Sequence, residues 1–194
     1  RWGRLRHFIC YLQQFEPDSE VPEASLFGAE PGRVAPHIYL EDEVVDLLAA
    51  ARTLGPGGSL RPFTFETLLG LMASTGLRVS EAIHLREADV DLKRGMLTIR
   101  QTNFSKSRQL PMHPSTVEAL ARYRRQRARH VPTTADMPFF ISSRGRRLGK
   151  PLSDRQAHRV FTGLRDSLGW VNRGGHDAPR LHELRHTFAV RRLM

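Results

Sequence analysis

The stretch that decides the fold is Thr75-Gly-Leu-Arg-Val-Ser-Glu81. The strongly apolar run over residues 63–73 reads as a helix that Thr75-Gly76 then breaks, and a further helix is expected to start near Arg78. Arg78 therefore stands just after a glycine turn, at the mouth of a helix. A guanidinium there can grip a phosphate with two parallel N–H bonds, helped by the unpaired amides of the helix end. The plainer alternative is a surface ion pair with Glu81, one turn further on.

Working upstream, residues 41–53 predict a helix with Val44, Leu47 and Leu48 on one face, closed by a Gly/Pro loop at Gly55 to Gly58. Before it, Pro17, Pro22, Pro31 and Pro36 lie among acidic and small residues, a composition that reads as a linker. Before that, Trp2, Leu5, Phe8, Ile9, Leu12 and Phe15 keep helical spacing, and Cys10 on that face reads as a packing residue.

Downstream, Met96-Leu-Thr-Ile-Arg100 and Gln109-Leu-Pro-Met-His113 flank a polar turn that carries Lys106, and Pro111 marks the second strand as an edge. Helices are expected over 115–129, 153–168 and 181–194, with a short apolar strand at Phe139-Phe-Ile141. The fold class that follows is mainly α with one small antiparallel sheet, α+β. The sequence holds no internal repeat.

Charge is distributed unevenly. Residues 1–100 carry 11 Lys and Arg against 14 Asp and Glu, whereas residues 101–194 carry 19 against 6. The whole excess of the +10 chain thus sits in its second half. Such a half suits a polyanion, most simply nucleic acid, because each neutralised phosphate releases counterions; a solvated basic surface is the bland alternative. Arg108 beside the hairpin, and Arg124, Arg125 and Arg127 on the helix that follows, are candidate DNA contacts. A single cysteine allows no disulfide framework, and no run of about 18 apolar residues occurs, so a cytoplasmic, membrane-free setting is expected.

Two more places can carry chemistry. Lys106 is one of three lysines among 27 arginines, and lysine can release a proton where arginine effectively cannot. A solvated turn lysine is the competing reading. In Arg180-Leu-His-Glu-Leu-Arg-His-Thr-Phe188, His182 and Arg185 are three apart and so share a helix face, pairing a proton-transfer group with an anion clamp. The same string matches H-E-x-x-H, in which two helical histidines hold zinc and the Glu activates water. A third ligand is wanting there: His176 and Asp177 are poorly spaced for a tetrahedral site.

Together the three places resemble the tyrosine recombinase, or phage integrase, family. T-G-L-R-V-S-E is similar to its first arginine box, Lys106 to its hairpin lysine, and L-H-E-L-R-H-T-F-A to its H-x-L-R-H box, in that order. The resemblance implies a catalytic domain over residues 38–194, a Pro-rich linker over 17–37, and the partial end of a core-binding domain over 1–16. It also implies a metal-free, cofactor-free transesterification of double-stranded DNA, with other recombinase protomers as partners in a tetrameric synapse. Arg78 and Arg185 would hold the scissile phosphate, Lys106 would protonate the leaving oxygen, and His182 would assist proton transfer. Glu81 would position the Arg78 helix, and His186 would pack or hydrogen-bond.

The chain departs from the family pattern in one respect. The family carries a further His or Trp and then its nucleophilic Tyr downstream of the H-x-L-R-H box, and Tyr11, Tyr39 and Tyr123 do not match that position. The chain also opens and closes inside amphipathic helical patterns. The expectation is therefore a truncated fragment, inactive by itself. A non-catalytic DNA-binding remnant or regulator, and less favourably a zinc hydrolase, are the alternatives.

Overall fold

The structure is a computed structural model that describes residues 2–23, 32–56, 58–100, 107–143 and 145–193. It divides into two compact units, Arg1–Val34 and Ala35–Met194.

The first unit contains α1 (Trp2–Leu12). Arg6 Nε on the helix donates to the Pro22 oxygen at 3.3 Å and Gln13 Nε2, just past it, to the Ser19 oxygen at 2.8 Å, folding the following segment back along the helix. Of the apolar positions expected to share a face there, Ile9 and Leu12 are half-buried, whereas Leu5 and Phe8, and Phe15 just past the helix, are exposed.

The second unit runs α2 (Glu41–Arg52), α3 (Arg61–Thr75), α4 (Val79–Ile83), a 3-10 turn (Glu87–Asp89), β1 (Val90–Asp91), β2 (Met96–Ile99), β3 (Arg108–Pro111), α5 (Pro114–Ala128), α6 (Asp154–Leu168) and α7 (Glu183–Leu193). Helix α3 is the central strut. Pro62 suits its first turn, where an amide would go unpaired anyway. Thr64, Phe65, Leu68, Leu69, Leu71 and Met72 are buried around most of its circumference, which is why its apolar run lacks a clean amphipathic stripe. Helices α2, α5 and α7 pack against it. It ends at Gly76, whose φ of 65° is the left-handed conformation that glycine adopts without steric cost.

The sheet is three-stranded and antiparallel in the order β1-β2-β3. Its first strand was not legible because two residues give no alternation to read. In β2, Leu97 and Ile99 are buried while Met96 and Thr98 are half-buried, the period-two pattern of a one-sided strand. As expected, β3 is an edge, and Pro111 sits where the missing amide breaks no ladder. Residues 101–106, and so Lys106, lie outside the described residues.

Phe139-Phe-Ile141 does not form the expected strand. The three side chains are fully buried, and the backbone makes an isolated bridge from Ile141 to Pro151 and one bond from Phe139 N to the Leu85 oxygen at 2.7 Å. Phe139 and Phe140 meet edge to face at 5.1 Å, and Tyr123 of α5 packs against both with its ring tilted. An apolar run that serves core packing has the same composition as a buried strand, so sequence could not separate the two. Among the described residues no helix is long and apolar enough to cross a membrane.

Candidate active site

Arg78 is the residue before α4, with extended backbone (φ −67°, ψ 149°). Glu81 reaches back to it: Arg78 N donates to Oε2 at 3.0 Å and Arg78 Nη1 to Oε1 at 3.2 Å. Both sequence alternatives for Arg78 are therefore compatible, since it pairs with Glu81 and still leaves its side chain 44% exposed. The help expected from a helix end is small. Helix α4 has only five residues, and Glu81 already occupies the Arg78 amide. The site depends on side chains instead.

Arg185 comes to the same turn from the other end of the sequence. Its Nη1 donates to the Gly76 oxygen, and Phe188, one turn further along α7, lies against the Gly76 α-carbon where any side chain would collide with its ring. Two arginines from separate elements thus meet at the α3–α4 turn. His182 lies in the turn entering α7 rather than on the helix itself, and its carbonyl accepts from Arg185 N at 3.1 Å. Partial desolvation of the ring, then the charges of His186, Arg185, Arg180 and Arg78, hold its pKa below the ordinary histidine range. The imidazole is consequently neutral near pH 7, able to take a proton. His186 makes an edge-to-face contact with it, ring centres 5.2 Å apart.

Residues distant in sequence hold this arrangement in place. Tyr39 N donates to Thr187 Oγ1 at 2.9 Å and its hydroxyl donates to the Arg180 oxygen at 2.9 Å, while Arg191 Nη2 donates to the Tyr39 oxygen at 3.1 Å. The segment before α2 is strapped down by buried His37, which shares Glu43 with Arg173. Sequence reasoning missed Tyr39 in this role. An aromatic next to a presumed linker gives no local sign of the helix it will clamp.

The four candidate DNA contacts separate. Arg125 is exposed. Arg127 is a correction: its side chain is fully buried and Nη1 donates to Glu87 Oε2 at 2.7 Å, so it cannot face a ligand. Arg124 also contacts Glu87, donates to the Val90 oxygen at 2.9 Å and lies over the Phe139 ring. Arg108 is turned to Glu81, with Nη1 to Oε1 at 3.1 Å and Nη2 to Oε2 at 2.9 Å. The Arg127 signal was available in the sequence: Thr116, Leu120, Tyr123 and Arg127 share one face of α5, and all are buried.

The zinc alternative meets a geometric objection. Glu183 is fully buried, with Oε2 accepting from Arg180 N at 2.7 Å, whereas His182 and His186 are exposed. A carboxylate turned into the core cannot activate water beside them. Among the described residues no three His, Cys, Asp or Glu side chains gather to hold a metal ion.

Residues 38–193 match the Phage integrase family. The chain belongs to that family. An integrase/recombinase of Sinorhizobium fredii, y4rE, is 39% identical over 196 residues, covering all of this chain and 60% of the relative. Tyrosine recombinase XerC of Thermodesulfovibrio yellowstonii is 35% identical over 197 residues, covering 98% of this chain and 60% of its own length. The chain thus spans about three-fifths of the curated relatives it matches. The crystal structure of XerA recombinase superposes with a TM-score of 0.63 at 25% identity, over 95% of this chain and 59% of that one. The lambda integrase tetramer bound to a Holliday junction shares the fold, at a TM-score of 0.66 and 20% identity, over 97% of this chain and 52% of that one. This phage integrase family chain accordingly has the tyrosine-recombinase catalytic fold, mainly helical with one small sheet.

Proposed function

We propose that this chain supplies the phosphate-gripping part of a site-specific DNA recombinase or integrase. The observation that supports it most is the meeting of Arg78 and Arg185 at the α3–α4 turn, beside a His182 whose imidazole is neutral at physiological pH. In this reading the two guanidiniums hold the non-bridging oxygens of the scissile phosphate and stabilise charge that builds in the transition state. A tyrosine oxygen bonds to phosphorus, and His182 accepts the phenolic proton. The bond from phosphorus to the 5′ oxygen breaks, and Lys106 protonates that oxygen. The 3′-phosphotyrosyl link keeps the bond energy for rejoining.

Residues 38–194 form the catalytic portion in this proposal, 17–37 the joint, and 1–16 the end of a core-binding domain. The partners are double-stranded DNA and further protomers in a synapse, a reading supported by relatives and neighbours that include an integrase tetramer on a Holliday junction. A second reading, DNA binding without cleavage by this polypeptide, is favoured by two of its three tyrosines. Tyr39 and Tyr123 are buried, and their hydroxyls are committed to the Arg180 oxygen and the Ile141 amide.

The test is a fluorescence titration of a labelled duplex. If six or more phosphates are contacted, affinity falls about a thousandfold or more between 50 and 200 mM salt. Arg78→Ala and Arg185→Ala should each weaken binding and flatten the salt dependence. Binding that is insensitive to salt and to both substitutions would refute the proposal.

A further inference from the structure

The Glu81 carboxylate has more donors than a simple ion pair needs. It accepts both arms of the Arg108 fork, at 3.1 and 2.9 Å, together with the Arg78 amide at 3.0 Å and one Arg78 guanidinium bond at 3.2 Å. Its side chain is only 9% exposed, whereas those of Arg78 and Arg108 are 44% and 39% exposed. Burial alone would raise the carboxyl, but the Arg108 and Arg78 bonds overcome it and hold the group below the usual carboxylate range. Glu81 is therefore an anion in the folded chain, sharing one negative charge between two guanidiniums.

The geometry of the sharing is unequal. Arg108 takes the bidentate position, the strongest arrangement a carboxylate offers, and Arg78 is left with a single side-chain bond. Among the described residues Arg78's guanidinium has no other partner. Without Arg108, Glu81 and Arg78, three residues apart, would form the close pair themselves, and an incoming phosphate would have to compete with a carboxylate already in place. With Arg108 engaged, one positive charge stays uncompensated and is carried by Arg78.

We infer that Arg108 is a positioning residue for the phosphate site, not a DNA contact. It occupies Glu81 so that Arg78 remains free for phosphate. The inference rests on the proposed phosphate role of Arg78 and adds the residue that keeps that role available. It also couples the edge strand to the arginine turn. Arg108 is on β3, paired with Ile99 across the hairpin, and Glu81 is on α4.

The experiment is duplex binding by the full 194-residue chain and its variants, each checked by circular dichroism for native helix content. Arg108→Ala should weaken binding roughly tenfold, the scale of one charge-assisted hydrogen-bonded contact. Arg78→Ala should weaken it similarly, and the Arg78→Ala/Arg108→Ala pair should be no worse than either single change. Adding Glu81→Gln to Arg108→Ala should restore affinity to within about threefold of the parent, because no carboxylate then captures Arg78. Losses that multiply in the double variant, with no rescue by Glu81→Gln, would show that Arg108 touches DNA directly and overturn the inference alone. Parent-like binding by Arg78→Ala would overturn the phosphate reading, and the inference with it. Should Arg108→Ala fail to fold, Arg108→Gln takes its place, with the same loss expected alone and the same rescue by Glu81→Gln; a loss that Glu81→Gln does not rescue overturns the inference.

Discussion

Arg185 Nη1 donates to the backbone oxygen of Gly76, a residue 109 positions upstream. That bond seats α7 on the α3–α4 turn and brings the two arginine boxes of the sequence to one place. Gly76 contributes twice, through its left-handed backbone and through the absence of a side chain under Phe188.

Gly76→Ala should therefore be costly. The left-handed backbone conformation costs about 1–2 kcal/mol for an L-residue, and forcing a methyl against the Phe188 ring adds about 1–3 kcal/mol. A loss of about 2–5 kcal/mol in urea unfolding is expected. Duplex affinity should fall as well, because Arg185 loses its seat. A fully stable variant would show that the turn and α7 are not packed as described.

His182 gives a pH signature. Its folded pKa is lowered, so the unfolded chain binds this proton more readily. The stability it protects is present above about pH 6.5 and is lost as pH falls toward the folded value. A bound phosphate adds negative charge nearby and should raise the His182 pKa, so duplex binding should take up a proton and strengthen as pH falls through that window. NMR titration of the His182 ring, with and without duplex, measures both values. An unchanged midpoint on binding would separate His182 from the phosphate.

Arg127 and Arg125 should behave oppositely. Removing Arg127 leaves Glu87 in a mostly enclosed place with one guanidinium fewer, and breaking a buried pair costs about 3–5 kcal/mol. Arg125→Ala should change stability by less than about 0.5 kcal/mol, and any effect it has should appear in duplex affinity. Urea melts of the two variants compare them directly. Equal stabilities would mean that Arg127 is not enclosed.

The 194-residue chain should form no covalent adduct with a nicked suicide duplex. Tyr123 is fully buried, its hydroxyl accepts from the Ile141 amide at 3.2 Å, and burial pushes its pKa up. Tyr39 is 1% exposed, donates to the Arg180 oxygen, and is likewise raised, by burial first and then by Glu183 and Glu43. Neither can reach a phosphate or ionise readily. Denaturing gel analysis reads the outcome, and a protein-sized shift would make Tyr11 the first residue to replace.

The sequence by itself determined the helices and the boxes. Apolar spacing in α2, α5 and α6, the Thr75-Gly76 break and the alternation in Met96-Leu-Thr-Ile99 are local properties, set by 3.6- and two-residue periods and by glycine's permitted φ. The boxes at Arg78 and at His182 to Arg185 are also local strings. Only the tertiary structure decided what each arginine does. Arg108, Arg124, Arg125 and Arg127 are alike in composition. Yet one forks onto Glu81, two converge on Glu87, and one faces solvent. A guanidinium's role is fixed by which carboxylate lies within about 4 Å in three dimensions, and Glu81 and Glu87 lie 27 and 40 residues from Arg108 and Arg127. No periodicity in a single sequence carries that distance.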